Sequence, residues 1–232
     1  MWNNKNSIED MIIFEDKDIL VCHKAAGIAV QNARIGAADM ESSLKNYLAL
    51  KNTETVPYLG VVHRLDQPVS GILVFARTPA AAKNLNQQLQ NDQFEKYYQA
   101  VVCGALPDSG TLTDYLVKDG RTNTSRICSK NTPGAKKAVL SYEILETSEV
   151  TGLSVVQIHL GTGRHHQIRC QLAKMGCPIK GDLKYGSPRS NPDGSICLHA
   201  RYIRFVHPVS KEPIEVEAPV PPGNLWNGFE TI

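Results

Sequence analysis

Apolar residues in this chain fall mostly in short runs broken by polar turns, and only three stretches carry helical spacing. Residues 12–14 and 19–22, separated by Glu15-Asp16-Lys17-Asp18, predict a hairpin of two short strands. Residues 41–51 place Leu44, Tyr47 and Leu48 on one face of a helix. Two apolar runs, 59–62 and 72–76, predict strands on either side of a polar loop. Thr78 followed by Pro79 is a helix start, and that helix is expected to reach about Asn91. Residues 96–103 alternate and are rich in β-formers, whereas residues 104–137 are turn-rich, basic and poor in apolar anchors, and predict an exposed excursion. Strands follow at 138–145 and 153–160; Gly161-Thr162-Gly163 breaks the second. Residues 164–175 then predict a helix with Ile168, Leu172 and Met175 inward, stopped by Gly176 with Pro178 beyond. Strands at 196–206 and 214–217 close the chain.

Strands outnumber helices and come in runs joined by short turns. The expected fold class is therefore α+β, around a central mixed, mainly antiparallel sheet with flanking helices, rather than a doubly wound sheet. At 232 residues, with no internal repeat and no low-complexity linker, residues 1–232 are expected to form a single domain. The first thirty residues lack a signal-peptide pattern, and no apolar run reaches the length of a bilayer span, so the expected location is cytoplasmic.

Charge and cysteines refine this picture. Net charge is only +2, yet residues 118–211 carry 15 Lys/Arg against 6 Asp/Glu, while residues 1–60 carry 6 against 8. A basic middle between neutral or acidic ends suits a polyanionic partner, although chance clustering on a solvated surface would look the same. The six cysteines form no CxxC pair and sit in or beside apolar runs, as reduced thiols do. Cys170, Cys177, Cys197 and His199 have no common zinc-finger spacing, and no metal is expected.

Four clusters carry candidate chemistry. In His63-Arg64-Leu65-Asp66 the aspartate lies two residues before Pro68, where it would ordinarily cap a turn, yet two core strands hold the loop in the way a reactive side chain is fixed. In GTGRHHQIRCQLAKMG, residues 161–176, glycines precede a helix start bearing Arg164, His165 and His166, an arrangement that favours anions. Arg169 borders the apolar stripe of Ile168 and Leu172, and a buried arginine needs an acid or phosphate. One of Tyr97 and Tyr98 faces the core, and the other could stack on a base. Leu198, in ICLHA, is core by default.

Taken together and in order, HRLDQPVSGILVFAR, KYYQAVVCG, GRHHQIRCQLAKMGCPIKGDLKYG and LHARYIRFVHPVSKEPIEVEAPVP resemble the RluA-type family of RNA pseudouridine synthases over roughly residues 12–221. The resemblance implies a cofactor-free isomerisation of a uridine in ribosomal or transfer RNA, by a monomer with no obligatory protein partner and no membrane association. It implies that Asp66 is the catalytic aspartate, that Arg169 pairs with it, and that Tyr98 packs on the flipped base. It implies further that Arg64 helps displace the base and fills its place, and that Leu198 lines the pocket. His63, Arg164, His166 and Gln167 are further expected substrate contacts. Two departures, Val69 before Ser70-Gly71 and Ala25 after Lys24, bear on loop stiffness and RNA fit. The family's small N-terminal RNA-binding domain is not expected here, which leaves residues 118–137 as the expected RNA grip. Two rivals remain: a non-catalytic RNA-binding protein, and a metal-dependent hydrolase built from His63, Asp66, His165 and His166.

Overall fold

Strand β4 (Ser70–Ala76) shows why a run without alternation can still be a strand: all seven of its residues are buried. The computed structural model describes residues 7–32, 39–53, 56–223, 226 and 229. The chain divides into two compact units, one of residues 1–94 and 202–218, the other of residues 95–201 and 219–232.

In the first unit, a single 3-10 turn (Glu9–Met11) leads into β1 (Ile12–Glu15) and β2 (Ile19–Lys24), the expected hairpin. Helix α1 (Met40–Lys51) is capped by Asp39, which accepts the Ser42 N–H, and it buries Leu44, Tyr47 and Leu48. β3 (Gly60–Val61) and β2 both pair antiparallel with β4. Helix α2 (Pro79–Gln90) starts at Thr78, whose hydroxyl accepts the Ala81 N–H. Its Ala81 and Leu85 pack on Ile72, Val74 and Ala76 of β4. Strand order in this unit is β1-β2-β4-β10, with β11 (Pro213–Glu217) against the end of β10 (Leu198–Val206).

The second unit is an antiparallel sheet whose neighbouring strands are not all consecutive in the chain. β5 (Glu95–Cys103) pairs with β9 (Leu153–Leu160), β9 with β8 (Lys136–Ser148), β8 with β6 (Ser109–Asp119), and β6 with β7 (Thr124–Cys128), all antiparallel. The start of β10 lies beside β5. Helix α3 (Gln167–Lys174) lies on β6 and β7, with Cys170 packed against Leu116 and Ala138.

Two expectations need correction. Residues 104–137 are largely exposed as expected but are strand rather than turn, because β6 and β7 occupy much of them. Only Leu116 is buried along β6, so the strand shows little apolar alternation, and its eight-residue register with β8 holds it in place. Helix α3 begins three residues later than expected, after His166 in the left-handed region (φ +50°), and Met175 is exposed rather than inward.

Candidate active site

The Asp66 loop belongs to the first unit. Leu65 is buried as the loop's anchor, Arg64 points outward and Asp66 is half-buried at the head of a turn closed by Val69 N–H to the Asp66 carbonyl, 3.0 Å. His63 Nε2 accepts the Val74 N–H of β4 at 3.2 Å, and its ring meets Phe94 edge-on, so the residue ties the loop to the core. From below, Gly27 (φ +88°, a conformation suited to glycine) donates its N–H to the Gln67 carbonyl at 2.8 Å and accepts from the Gln67 amide at 2.9 Å.

Lys24 completes this support. It is fully buried, and its ammonium donates to the carbonyls of Ile28 (2.7 Å), Ala25 (3.0 Å) and Gln67 (3.2 Å). Burial pushes its pKa down to about 7, against the opposing pull of the Asp66 carboxylate. Three acceptors match the three protons of an ammonium, so one buried cation joins the 24–28 turn to the Asp66 loop at Gln67 and acts electrostatically on Asp66.

The second group of residues is built in the other unit. Tyr98 is buried on β5 opposite Ile158, and Leu198 is buried at the start of β10, next to Cys197, whose carbonyl accepts the Val101 N–H of β5. Arg169, expected from the resemblance to pair with Asp66, makes a two-pronged ion pair with Asp182 within its own unit: Nε to Oδ2 at 2.6 Å and a terminal nitrogen to Oδ1 at 2.7 Å, both side chains buried. Its guanidinium also lies over the Tyr185 ring, 5.0 Å from the centroid. Gly181 (φ +90°) precedes the aspartate, and a Cβ there would come within 2.8 Å of the Ser195 carbonyl, so Asp182 is delivered by a turn that only glycine fits.

The turn before α3 is closely tied. Gln167 is buried; its amide oxygen accepts from the Thr162 hydroxyl (2.7 Å) and the Arg164 N–H (3.0 Å), and its amide nitrogen donates to the Val139 carbonyl (3.0 Å). His165 and His166 stack at 3.8 Å; His165 Nδ1 meets the Ser125 hydroxyl and His166 Nδ1 the Tyr185 hydroxyl, each at 2.9 Å. Burial pushes the Tyr185 phenol up to about 12, so it stays protonated. Arg164 is exposed, with its Nε bonded to the Lys137 carbonyl at 2.9 Å.

The expected residues thus form two built groups: His63, Arg64 and Asp66 on one loop, and Tyr98, Arg164, His166, Gln167, Arg169 and Leu198 in the other unit. The histidine pair packs ring on ring and bonds the Ser125 and Tyr185 hydroxyls. Lys24, Asp182 and Tyr185 escaped the sequence reading; the need of a buried arginine for an acid was the signal for Asp182. All six cysteines are free thiols. Among the described residues no helix is long and apolar enough to cross a membrane. A shielded carboxylate coupled to a buried ammonium can act as a nucleophile or a base.

Comparison with known proteins supplies the rest. A family model described as RNA pseudouridylate synthase matches residues 18–174. The uncharacterised RNA pseudouridine synthase YhcT of Bacillus subtilis is 37% identical over 211 residues, 90% of this chain and 68% of that protein. Ribosomal large subunit pseudouridine synthase D of Xanthomonas campestris is 36% identical over 225 residues, again 90% of this chain and 66% of that one. The chain thus spans about two thirds of the length of these relatives. Among solved structures, human RNA pseudouridylate synthase domain containing 4 shares the fold, with a TM-score of 0.75 at 21% identity over 92% of this chain and 90% of that one.

Proposed function

The chain belongs to the RNA pseudouridylate synthase family, and on that premise we propose that it isomerises a specific uridine of structured RNA to pseudouridine, with Asp66 as the reacting carboxylate. The observation that carries this reading is Asp66 itself, fixed at the head of a turn and coupled electrostatically to the Lys24 ammonium. The bond from the ribose anomeric carbon to base nitrogen 1 breaks. The base turns, carbon 5 joins the same sugar carbon, carbon 5 loses its proton and nitrogen 1 ends protonated. Product and substrate are isomers, so no oxidant or reductant enters. Asp66 serves either as nucleophile at the anomeric carbon or as base at the neighbouring ribose carbon.

A base cannot turn inside a stacked helix, so it leaves the stack, and the exposed Arg64 fills its place. Tyr98 packs on the extruded base, Leu198 lines its pocket, and Arg169, oriented by Asp182, supplies positive charge. Arg164 meets RNA phosphate, while His63, His166 and Gln167 hold the segments that present these groups. The two compact units act as one catalytic domain, a cytoplasmic monomer that needs no metal, organic cofactor or protein partner for the reaction. A relative named for the large ribosomal subunit makes large-subunit ribosomal RNA the first substrate to test, with transfer RNA second.

Bulk cellular RNA incubated with the protein is expected to gain carbodiimide-dependent reverse-transcription stops. Asp66→Asn, folded by circular dichroism, is expected to remove them. Absence of any new stop with wild type overturns the enzymatic reading, and stops that survive Asp66→Asn overturn the role of Asp66. Pseudouridine mapping in a strain lacking the gene then identifies the target.

A further inference from the structure

At the opposite end of β2 from Lys24, the first unit gathers Asp16, Asp18 and His207, with one ligand-capable atom from each lying within 4.8 Å of the others. Asp16 and Asp18 come from the β1–β2 turn, and His207 follows β10. Together with Phe14, Ser210 and Ile214 they line an open cavity of about 380 Å³.

The bonds inside the cluster assign the roles. Asp16 Oδ1 is spent on the turn, accepting the N–H groups of Asp18 (2.8 Å) and Ile19 (2.7 Å). His207 Nδ1 accepts the Ser210 N–H at 3.0 Å and the Val209 N–H at 3.3 Å. The neutral ring therefore carries its proton on Nε2 and donates it to Asp16 Oδ2, 2.9 Å away. That leaves Asp18. The residue is 93% buried, and its Oδ2 is sealed from solvent with no hydrogen-bond partner. Lys17 and Glu212 also border the cavity; among the described residues Lys17 forms no ion pair with Asp18, Glu212 adds a third carboxylate, and the nearby Arg77 guanidinium is engaged by the Asp16 carbonyl and Glu15. A buried carboxylate beside a second carboxylate is costly unless a cation joins them.

We propose that Asp16 and Asp18 bind a hard divalent cation of the calcium or manganese type, with waters from the cavity completing its shell. His207 orients Asp16 from outside that shell. Its Nδ1 faces two N–H donors, so Nε2 offers no lone pair to a metal, which disfavours zinc, and the donor set is oxygen alone. The ion would sit in the β1–β2 turn, which the His207–Asp16 hydrogen bond links to the segment between β10 and β11, two elements that the proposed isomerisation does not use.

The test uses the full chain, freed of metal with a chelator and titrated with calcium or manganese chloride while thermal melts are recorded. One ion is expected to bind in the range of about 0.1–1 mM and to raise Tm. Asp18→Asn is expected to weaken binding at least about tenfold and to remove the metal-dependent rise in Tm. Manganese is also expected to broaden the NMR signals of His207 and Ile214 in wild type, which reads the site without any variant. Binding that ignores Asp18→Asn, broadening centred elsewhere, or no binding up to about 10 mM overturns the proposal. Zinc binding more than about a hundredfold tighter than manganese overturns the oxygen-only assignment. None of these measurements reads pseudouridine formation, so they stand or fall apart from the proposed activity.

Discussion

Lys24 is the residue whose loss the aspartate loop would feel first, because three carbonyls and the Asp66 charge all lean on one buried ammonium. Its pKa also makes it legible in stability. In the unfolded chain a lysine stays protonated to about pH 10.4, while in the folded protein Lys24 holds its proton only to about 7. Between those values the unfolded state binds more protons, so this residue makes stability rise with pH, by about 1 kcal/mol per pH unit near pH 8–9. Below pH 7 both states are protonated and the slope vanishes. Urea melts from pH 6 to 9 are expected to show that rise in wild type and to lack it in Lys24→Met; parallel curves would refute the assignment. The Arg169–Asp182 pair has a different signature. Asp182→Ala leaves a buried guanidinium without its acid and is expected to cost about 3–5 kcal/mol. The double variant Arg169→Met/Asp182→Leu is expected to recover much of that loss, as equilibrium unfolding would show, while losing activity.

At the scale of elements, what the sequence made legible follows burial. β2, β4, β5 and β9 carry dense apolar runs or alternation, α1 has Leu44, Tyr47 and Leu48 on one face, and α2 starts at Thr78; all were readable because local preference and tertiary burial agree. β6 and β7 were not, since their strand state comes from a ladder with β8 rather than from their own composition. The start of α3 was misplaced for a related reason: the Gln167 side chain, bonding to Thr162, Arg164 and Val139, fixes where the helix begins, and no local pattern announces a contact reaching back to β8. Lys24 and Asp182 were hidden in the same way, each defined by partners distant in sequence or by a turn. Gln167→Ala removes three part-buried hydrogen bonds and is expected to cost about 1–3 kcal/mol. Chemical denaturation would measure it, and a loss of activity that follows the fraction unfolded would mark the residue as a support rather than a substrate contact.

At the scale of the whole molecule, a net charge of +2 conceals a division of labour. The unit of residues 95–201 and 219–232 carries 14 Lys/Arg against 10 Asp/Glu, while the other carries 11 against 13. Within the basic unit the β6–β7 and β6–β8 registers decide which cations can act together. Arg126 sits opposite Val117 and Lys137 opposite Tyr115, two positions of the same face of β6, whereas Lys136 sits opposite Leu116 on the face that packs toward α3. Arg126 and Lys137 are both exposed on this face, and the Lys137 carbonyl anchors the exposed Arg164. If that face grips the RNA backbone, each phosphate contact releases counterions, and the logarithm of affinity falls with the logarithm of salt in proportion to their number. Replacing both Arg126 and Lys137 by Gln is expected to flatten the salt slope by about 2 and to weaken binding alike for every RNA sequence. Asp66→Asn is expected to leave that slope unchanged. Filter binding across a salt series separates the two, and an unaltered slope in the double variant would place the RNA on another face.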